Sequence, residues 1–138
     1  MIRGIKCTLR FIPLTFIIKT YKLIPFSNMR KIERQMNEAI LSGKDFFSSN
    51  TSVEHSFNSK TGEPETIVKL HGNHIATVGD TLQICDAGWQ TVTTKSRLNA
   101  LLNEFAEGCY LFQKNFAWFL GDRDGNTIPF PTEEFVTV

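Results

Sequence analysis

Between Met29 and Gly43 the apolar residues Ile32, Met36, Ala39 and Ile40 recur at i, i+4, i+7 and i+8, while Arg30, Lys31, Glu33, Arg34 and Glu38 fill the other positions. That spacing lines one face of a helix and predicts an amphipathic helix over 29–43. Asn28 can cap its start, and Ser42 with Gly43 supplies a stop. After the polar stretch Ser48 to Thr51, the pattern shifts to short alternating or β-branched runs. These predict strands at 53–57, 66–71, 74–78 and 81–85. Gly72 and Asn73 have the composition of a two-residue hairpin turn between the second and third. Leu98, Leu101, Leu102 and Phe105 then return to helical spacing, predicting a second helix from Lys95 to Glu107 with Gly108 as its terminator.

The remainder is rich in aromatics. Cys109 to Gln113 and Phe116 to Leu120 alternate as a hairpin about Lys114 and Asn115. Asp122 to Asn126 carries a turn signal, and Pro129 and Pro131 restrict the last stretch of chain to an edge strand or an irregular cover. The expected architecture is α+β: an N-terminal helix, an antiparallel meander of about four strands, a second helix packed on the sheet, and a C-terminal β-hairpin. Ile32, Met36 and Ile40 should meet Leu98, Leu101, Leu102 and Phe105 in the core.

Composition supports a folded domain, with 41% hydrophobic and 21% charged residues in 138. The formal net charge of +1 conceals a division. Of 15 basic residues, Arg3, Lys6, Arg10, Lys19 and Lys22 lie in the first 28 positions, which hold no acid, so the rest of the chain is acidic overall. A generally basic, nucleic-acid-coating protein is disfavoured. The apolar run Phe11 to Ile18 is less than half the roughly 20 residues that span a bilayer, and Pro13 interrupts it. Tyr21 to Asn28 lacks the small-x-small pattern of a signal-peptide cleavage site. Residues 1–28 therefore read as an extension upstream of a start at Met29, or as a basic apolar anchor on an acidic membrane surface that Pro13 and Pro25 interrupt. The expected organisation is a single domain over 29–130 and a tail over 131–138, in a cytoplasmic setting. Cys7, Cys85 and Cys109 have no C-x-x-C spacing and read as reduced thiols.

Three stretches carry a family likeness: Leu70 to Ala76 (LHGNHIA), Ala87 to Leu102 (AGWQTVTTKSRLNALL) and Phe112 to Trp118 (FQKNFAW). With the start Met29-Arg-Lys-Ile-Glu, they make residues 29 to about 130 similar to a family of short, uncharacterised tailed-phage proteins. The middle motif is the specific one. The resemblance implies a phage or prophage origin and brings no activity with it.

The candidate chemistry centres on Gly88 to Arg97. Thr93 or Thr94 is the expected N-cap, yet Lys95 and Arg97 then place two cations and no carboxylate in the first turn, the reverse of what complements a helix dipole. A bound anion would resolve the mismatch, gathering Thr93, Thr94, Lys95, Ser96 and Arg97 around a phosphate or carboxylate. In the plain alternative both cations turn to solvent or pair with Asp86. The helix, sheet, helix order is similar at fold level to double-stranded-RNA-binding domains, and Arg30, Lys31 and Arg34 could widen such a surface or simply be solvated. Trp89, Trp118 and Phe116 are candidates for a stacking platform or for the core. His71 and His74 could face each other across the hairpin and share a metal with His55, Asp80 or Cys85, although no zinc spacing demands it. No phosphate-cradling Gly-rich loop, G-x-S-x-G elbow or H-E-x-x-H motif occurs, Glu133 and Glu134 are poorly placed for catalysis, and no cofactor is called for. The leading expectation is an accessory protein that binds a host or phage protein or nucleic acid. A metal-dependent enzyme at His71 and His74 and a structural virion component are the alternatives.

Overall fold

In the computed structural model, residues 29–138 and the short strand β1 (Thr8–Leu9) are described; Asn28 and the rest of the first 28 residues lie outside the described part. Helix α1 (Lys31–Ser42) ends at Gly43 in a left-handed conformation, as the stop signal requires. Its N-cap is Arg30, whose backbone N–H donates to Glu33 Oε1 at 3.3 Å, half of a capping box. Met36, Ala39 and Ile40 are buried and Ile32 is half-buried, but Glu33 and Asn37 are buried as well. The apolar spacing did not single out those two.

Six strands form one antiparallel sheet: β2 (Phe46–Ser48), β3 (Thr51–Phe57), β4 (Pro64–Leu70), β5 (Asn73–Val78), β6 (Leu82–Ile84) and, returning from the C-terminus, β11 (Val136–Thr137). The order is β11-β6-β5-β4-β3-β2, so the expected four-strand meander is extended at both edges. Alternation puts Val53, Val68, Leu70, Leu82, Ile84 and Val136 in the core. The β4–β5 hairpin turns on His71 and Gly72, at φ 53° and 79°, one residue before the Gly72–Asn73 expected. The register also slips between Val68 and Lys69, so Val68 pairs with Ala76 and Lys69 with His74. Ile75 is the extra residue of that bulge and is buried beside Ala76.

Helix α2 (Val92–Phe105) is enclosed on several sides, with Leu98, Leu101 and Leu102 fully buried. Asn37 Nδ2 of α1 donates to Ala100 O at 3.2 Å, holding one side of α2. After α2, β7 (Ala106–Glu107) pairs with β1, and a three-stranded sheet comes next in the order β10-β9-β8: β8 (Tyr110–Lys114), β9 (Ala117–Gly121) and β10 (Thr127–Pro129). Pro129 sits on an edge strand, where a missing N–H is tolerated. The Asn99 amide faces the edge of β8, donating to Leu111 O at 3.0 Å and accepting from Leu111 N at 2.7 Å. A side chain thus takes the place of a neighbouring strand. His55 makes a comparable clamp on the larger sheet: its Nε2 lies 3.1 Å from Ala39 O and 3.0 Å from Lys44 O at the end of α1, and its Nδ1 lies 2.9 Å from Thr66 Oγ1.

Cys109 is disulfide-bonded, contrary to the reduced thiol expected from spacing; spacing does not report which sulfurs the fold brings together. Cys85 is a buried free thiol, and burial pushes its pKa up. Among the described residues no helix is long and apolar enough to cross a membrane.

Asn99→Ala would leave the Leu111 N–H and C=O without these partners. Urea denaturation should show a loss of about 1 to 3 kcal/mol, and an unchanged midpoint would mean that the clamp contributes nothing.

Candidate functional site

The first turn of α2 is built differently from the expectation. Thr91 is the N-cap: its Oγ1 accepts from Thr94 N at 3.1 Å and lies 3.0 Å from Thr94 Oγ1. The helix therefore begins three residues before Lys95, and Arg97 belongs to the second turn, directed inward. Both side chains of the Arg97–Glu33 pair are 4% exposed. Arg97 Nη1 donates to Glu33 Oε2 at 2.7 Å, Nε donates to Thr51 Oγ1 at 2.9 Å, and Nη2 donates to Asn50 Oδ1 at 3.3 Å. Ser96 Oγ donates to the same Glu33 oxygen at 2.5 Å. The carboxylate that this helix start lacks in its own sequence comes from α1, 64 residues away. Neither Ser96 nor Arg97 is directed at an external ligand in this arrangement.

Thr91, Thr93 and Thr94 instead line a cleft of about 540 Å³ between the start of α2 and the β4–β5 hairpin. Leu70, Ile75 and Ala87 supply apolar surface, Asn73, His71 and the threonines supply polar groups, and Trp89 stands at 61% exposure. Volume and lining fall within the range of ligand pockets. Lys95 is half-buried next in sequence to these threonines and is not part of the lining. Asp86 is the one carboxylate in the lining, and it is fully buried. Its Oδ1 accepts from Gly88 N at 2.8 Å, Glu133 N at 2.8 Å and Thr132 Oγ1 at 3.4 Å, while Oδ2 accepts from Gln90 Nε2 at 3.0 Å. One buried acid thereby fixes both the loop that carries Trp89 and the C-terminal segment. Gly88 has φ 85°, a conformation that calls for glycine, and the Glu133 side chain lies where a Cβ would be added.

Trp89 and Trp118 are not a pair. Trp118 is 4% exposed and packs on Phe130 at 6.2 Å between ring centroids, within the core. Phe116 is 94% exposed at the tip of the β8–β9 hairpin. The histidines also separate. His71 occupies the turn itself and is exposed, whereas His74 pairs with Lys69 and packs on Phe135 at 4.8 Å. His74 Nε2 lies 3.0 Å from Ala76 O and 2.8 Å from Thr77 Oγ1. Among the described residues no group of three or more His, Cys, Asp or Glu side chains is placed to hold a metal ion. The turn shift separates the two rings, because a hairpin centred one residue earlier puts His71 in the loop rather than opposite His74.

Sequence reasoning singled out this segment and offered Asp86 as a partner for its cations, whereas Arg97 pairs with Glu33; Glu33, Ile75 and Asn73 were not anticipated beside it. With Arg30 at the N-cap, Glu33 carried no capping-box signature in the sequence, and its pairing with Arg97 was not visible locally.

Arg97→Ala or Glu33→Ala alone leaves a buried charge without its partner and should cost about 3 to 5 kcal/mol in chemical denaturation, with much of the loss recovered in an Arg97→Met, Glu33→Leu double variant. A pH effect is expected from a different residue. Burial lowers the His74 pKa below 6.5, aided by Lys69 and opposed by the hydrogen bond to Ala76 and by Glu65. The unfolded chain then binds the proton more readily, so His74 contributes stability above 6.5 that is lost as pH falls toward its folded pKa. Melting curves at about pH 7.5 and about pH 5.5 should differ less in His74→Gln than in the wild type.

Residues 29–137 match the protein family described as Kyanoviridae Gp96 protein. No curated protein and no solved structure matches the chain.

Proposed function

We propose that this chain, which belongs to the Kyanoviridae Gp96 family of phage proteins, is an accessory protein that acts by binding a protein partner in the cleft at the start of α2. The observation that carries this reading is the cleft itself: an apolar floor of Leu70 and Ile75, a rim of threonine hydroxyls and an exposed indole at Trp89. An exposed tryptophan beside a concave surface is the kind of residue that anchors protein interfaces. A phosphate ligand fits the same place less well. The Arg97 charge is balanced by Glu33, and the charged group in the lining is the Asp86 carboxylate. Thr93 and Thr94 thus remain in the proposed site together with Trp89, Lys95 lies beside it, and Ser96 and Arg97 support it from within.

Capture from phage-infected host lysate by immobilised full-length protein tests the reading. A specific protein should be retained by wild type and by the distant control Lys60→Ala and be lost with Trp89→Ala. Equal retention by Trp89→Ala would remove the cleft from the interaction. Fluorescence anisotropy with DNA and RNA probes should show no binding that weakens steeply with salt. Salt-dependent binding abolished by Lys95→Ala would move the reading to nucleic acid.

A further inference from the structure

The tip of the β8–β9 hairpin consists of Asn115 and Phe116, both left-handed at φ 52° and 66°. Asparagine tolerates that region, whereas a bulky aromatic is an outlier in it. Phe116 nevertheless stands there almost wholly in solvent, so neither backbone preference nor burial within the chain accounts for the residue. The hairpin below it is packed by aromatic rings. Phe112 stacks on Phe119 with centroids 5.5 Å apart, Tyr110 lies 5.6 Å from Phe112, and the Tyr110 ring is so close over Gly121 that an added Cβ would sit 3.0 Å from it. Asn99 holds the base of the same hairpin to α2 through Leu111. A hairpin packed and hydrogen-bonded in this way presents one strained, solvent-facing aromatic ring.

The same chain carries a receptor of matching chemistry. The cleft at the start of α2 offers an apolar floor, a volume of about 540 Å³ and the Trp89 indole for an aromatic contact. Charge agrees with the fit. Lys114 precedes the tip, and the exposed Glu133 carboxylate lies beside Gly88, next to Trp89.

We propose that Phe116 of one copy docks in the cleft of a second copy, so that the chain associates with itself through a tip-to-cleft contact. The proposal rests on the reading of the cleft as a protein-binding site and names an occupant for it. Placement of the residue at a strained turn is then functional: the ring is held out for a partner, as buried interface anchors are.

Sedimentation velocity on the full chain across a concentration series tests it. Wild type should associate reversibly. Phe116→Asn suits the left-handed turn and should melt at the same or a higher temperature, yet weaken association by about tenfold or more. Trp89→Ala, an exposed substitution, should weaken it comparably from the other side. Mixing the two variants brings one intact tip to one intact cleft and should restore a heterologous contact that neither makes alone. A wild type that stays monomeric throughout, association untouched by Phe116→Asn, or a mixture that fails to associate would each overturn the proposal. A monomeric wild type whose lysate partner is still lost with Trp89→Ala would overturn self-docking and leave the cleft as the site for a foreign protein.

Discussion

The buried pair of Glu33 and Arg97 decides how the rest of the molecule is arranged. Neither charge can leave water without the other, because an isolated buried charge costs several kcal/mol and the pair restores that only with good geometry and further hydrogen bonds. Arg97 needs Thr51 and Asn50 as well as Glu33, and Glu33 serves Ser96 and the Arg30 N–H in addition. These partners come from α1, the β2–β3 turn and α2, so all are satisfied together in one mutual placement of helices and sheet. The apolar contacts among Met36, Ile40, Leu98 and Leu101 are non-directional; the ion pair and its hydrogen bonds add directional contacts between the same elements.

The cleft is a consequence of that placement. With α2 anchored through its second turn, its first turn projects toward the β4–β5 hairpin, and Thr91, Thr93 and Thr94 face the space above Leu70 and Ile75. Asp86 then holds the loop carrying Trp89 against the C-terminal segment by four hydrogen bonds. Two buried acids thus have complementary duties. Glu33 neutralises Arg97 inside the fold, and Asp86 shapes the neighbouring cavity.

Much of the architecture was legible in the residue pattern. Both helices, the meander and the aromatic hairpin were expected within a few residues of their observed limits, since burying one face imposes a period of 3.6 or 2 on the side chains. The errors were small in position and large in effect. A one-residue shift of the β4–β5 turn put His71 in solvent and ended its pairing with His74. A helix start at Val92 instead of Lys95 turned Arg97 from an apparent surface cation into an internal one. Trp89 and Trp118 were indistinguishable by type, yet one is exposed and the other lies in the core. Boundaries are weakly encoded because several neighbouring residues can cap or turn at similar free energy.

The sequence by itself determined the two helices, the central meander and the aromatic hairpin in their order, the apolar core that joins them and the segment around Gly88 to Arg97 as a place where a local rule is broken; the edge strands β2 and β11 came from pairing in the sheet. Apolar periodicity and turn chemistry act over a few residues and can be read there. The tertiary structure alone decided the meaning of that broken rule. The counter-charge of Arg97 is a carboxylate 64 residues earlier in the chain, and the bulge at Ile75 and the hydrogen bonds of Asp86 shape the neighbouring cleft. Contacts between distant segments leave no periodic trace in the sequence, because they depend on how whole elements pack and not on how neighbouring side chains alternate.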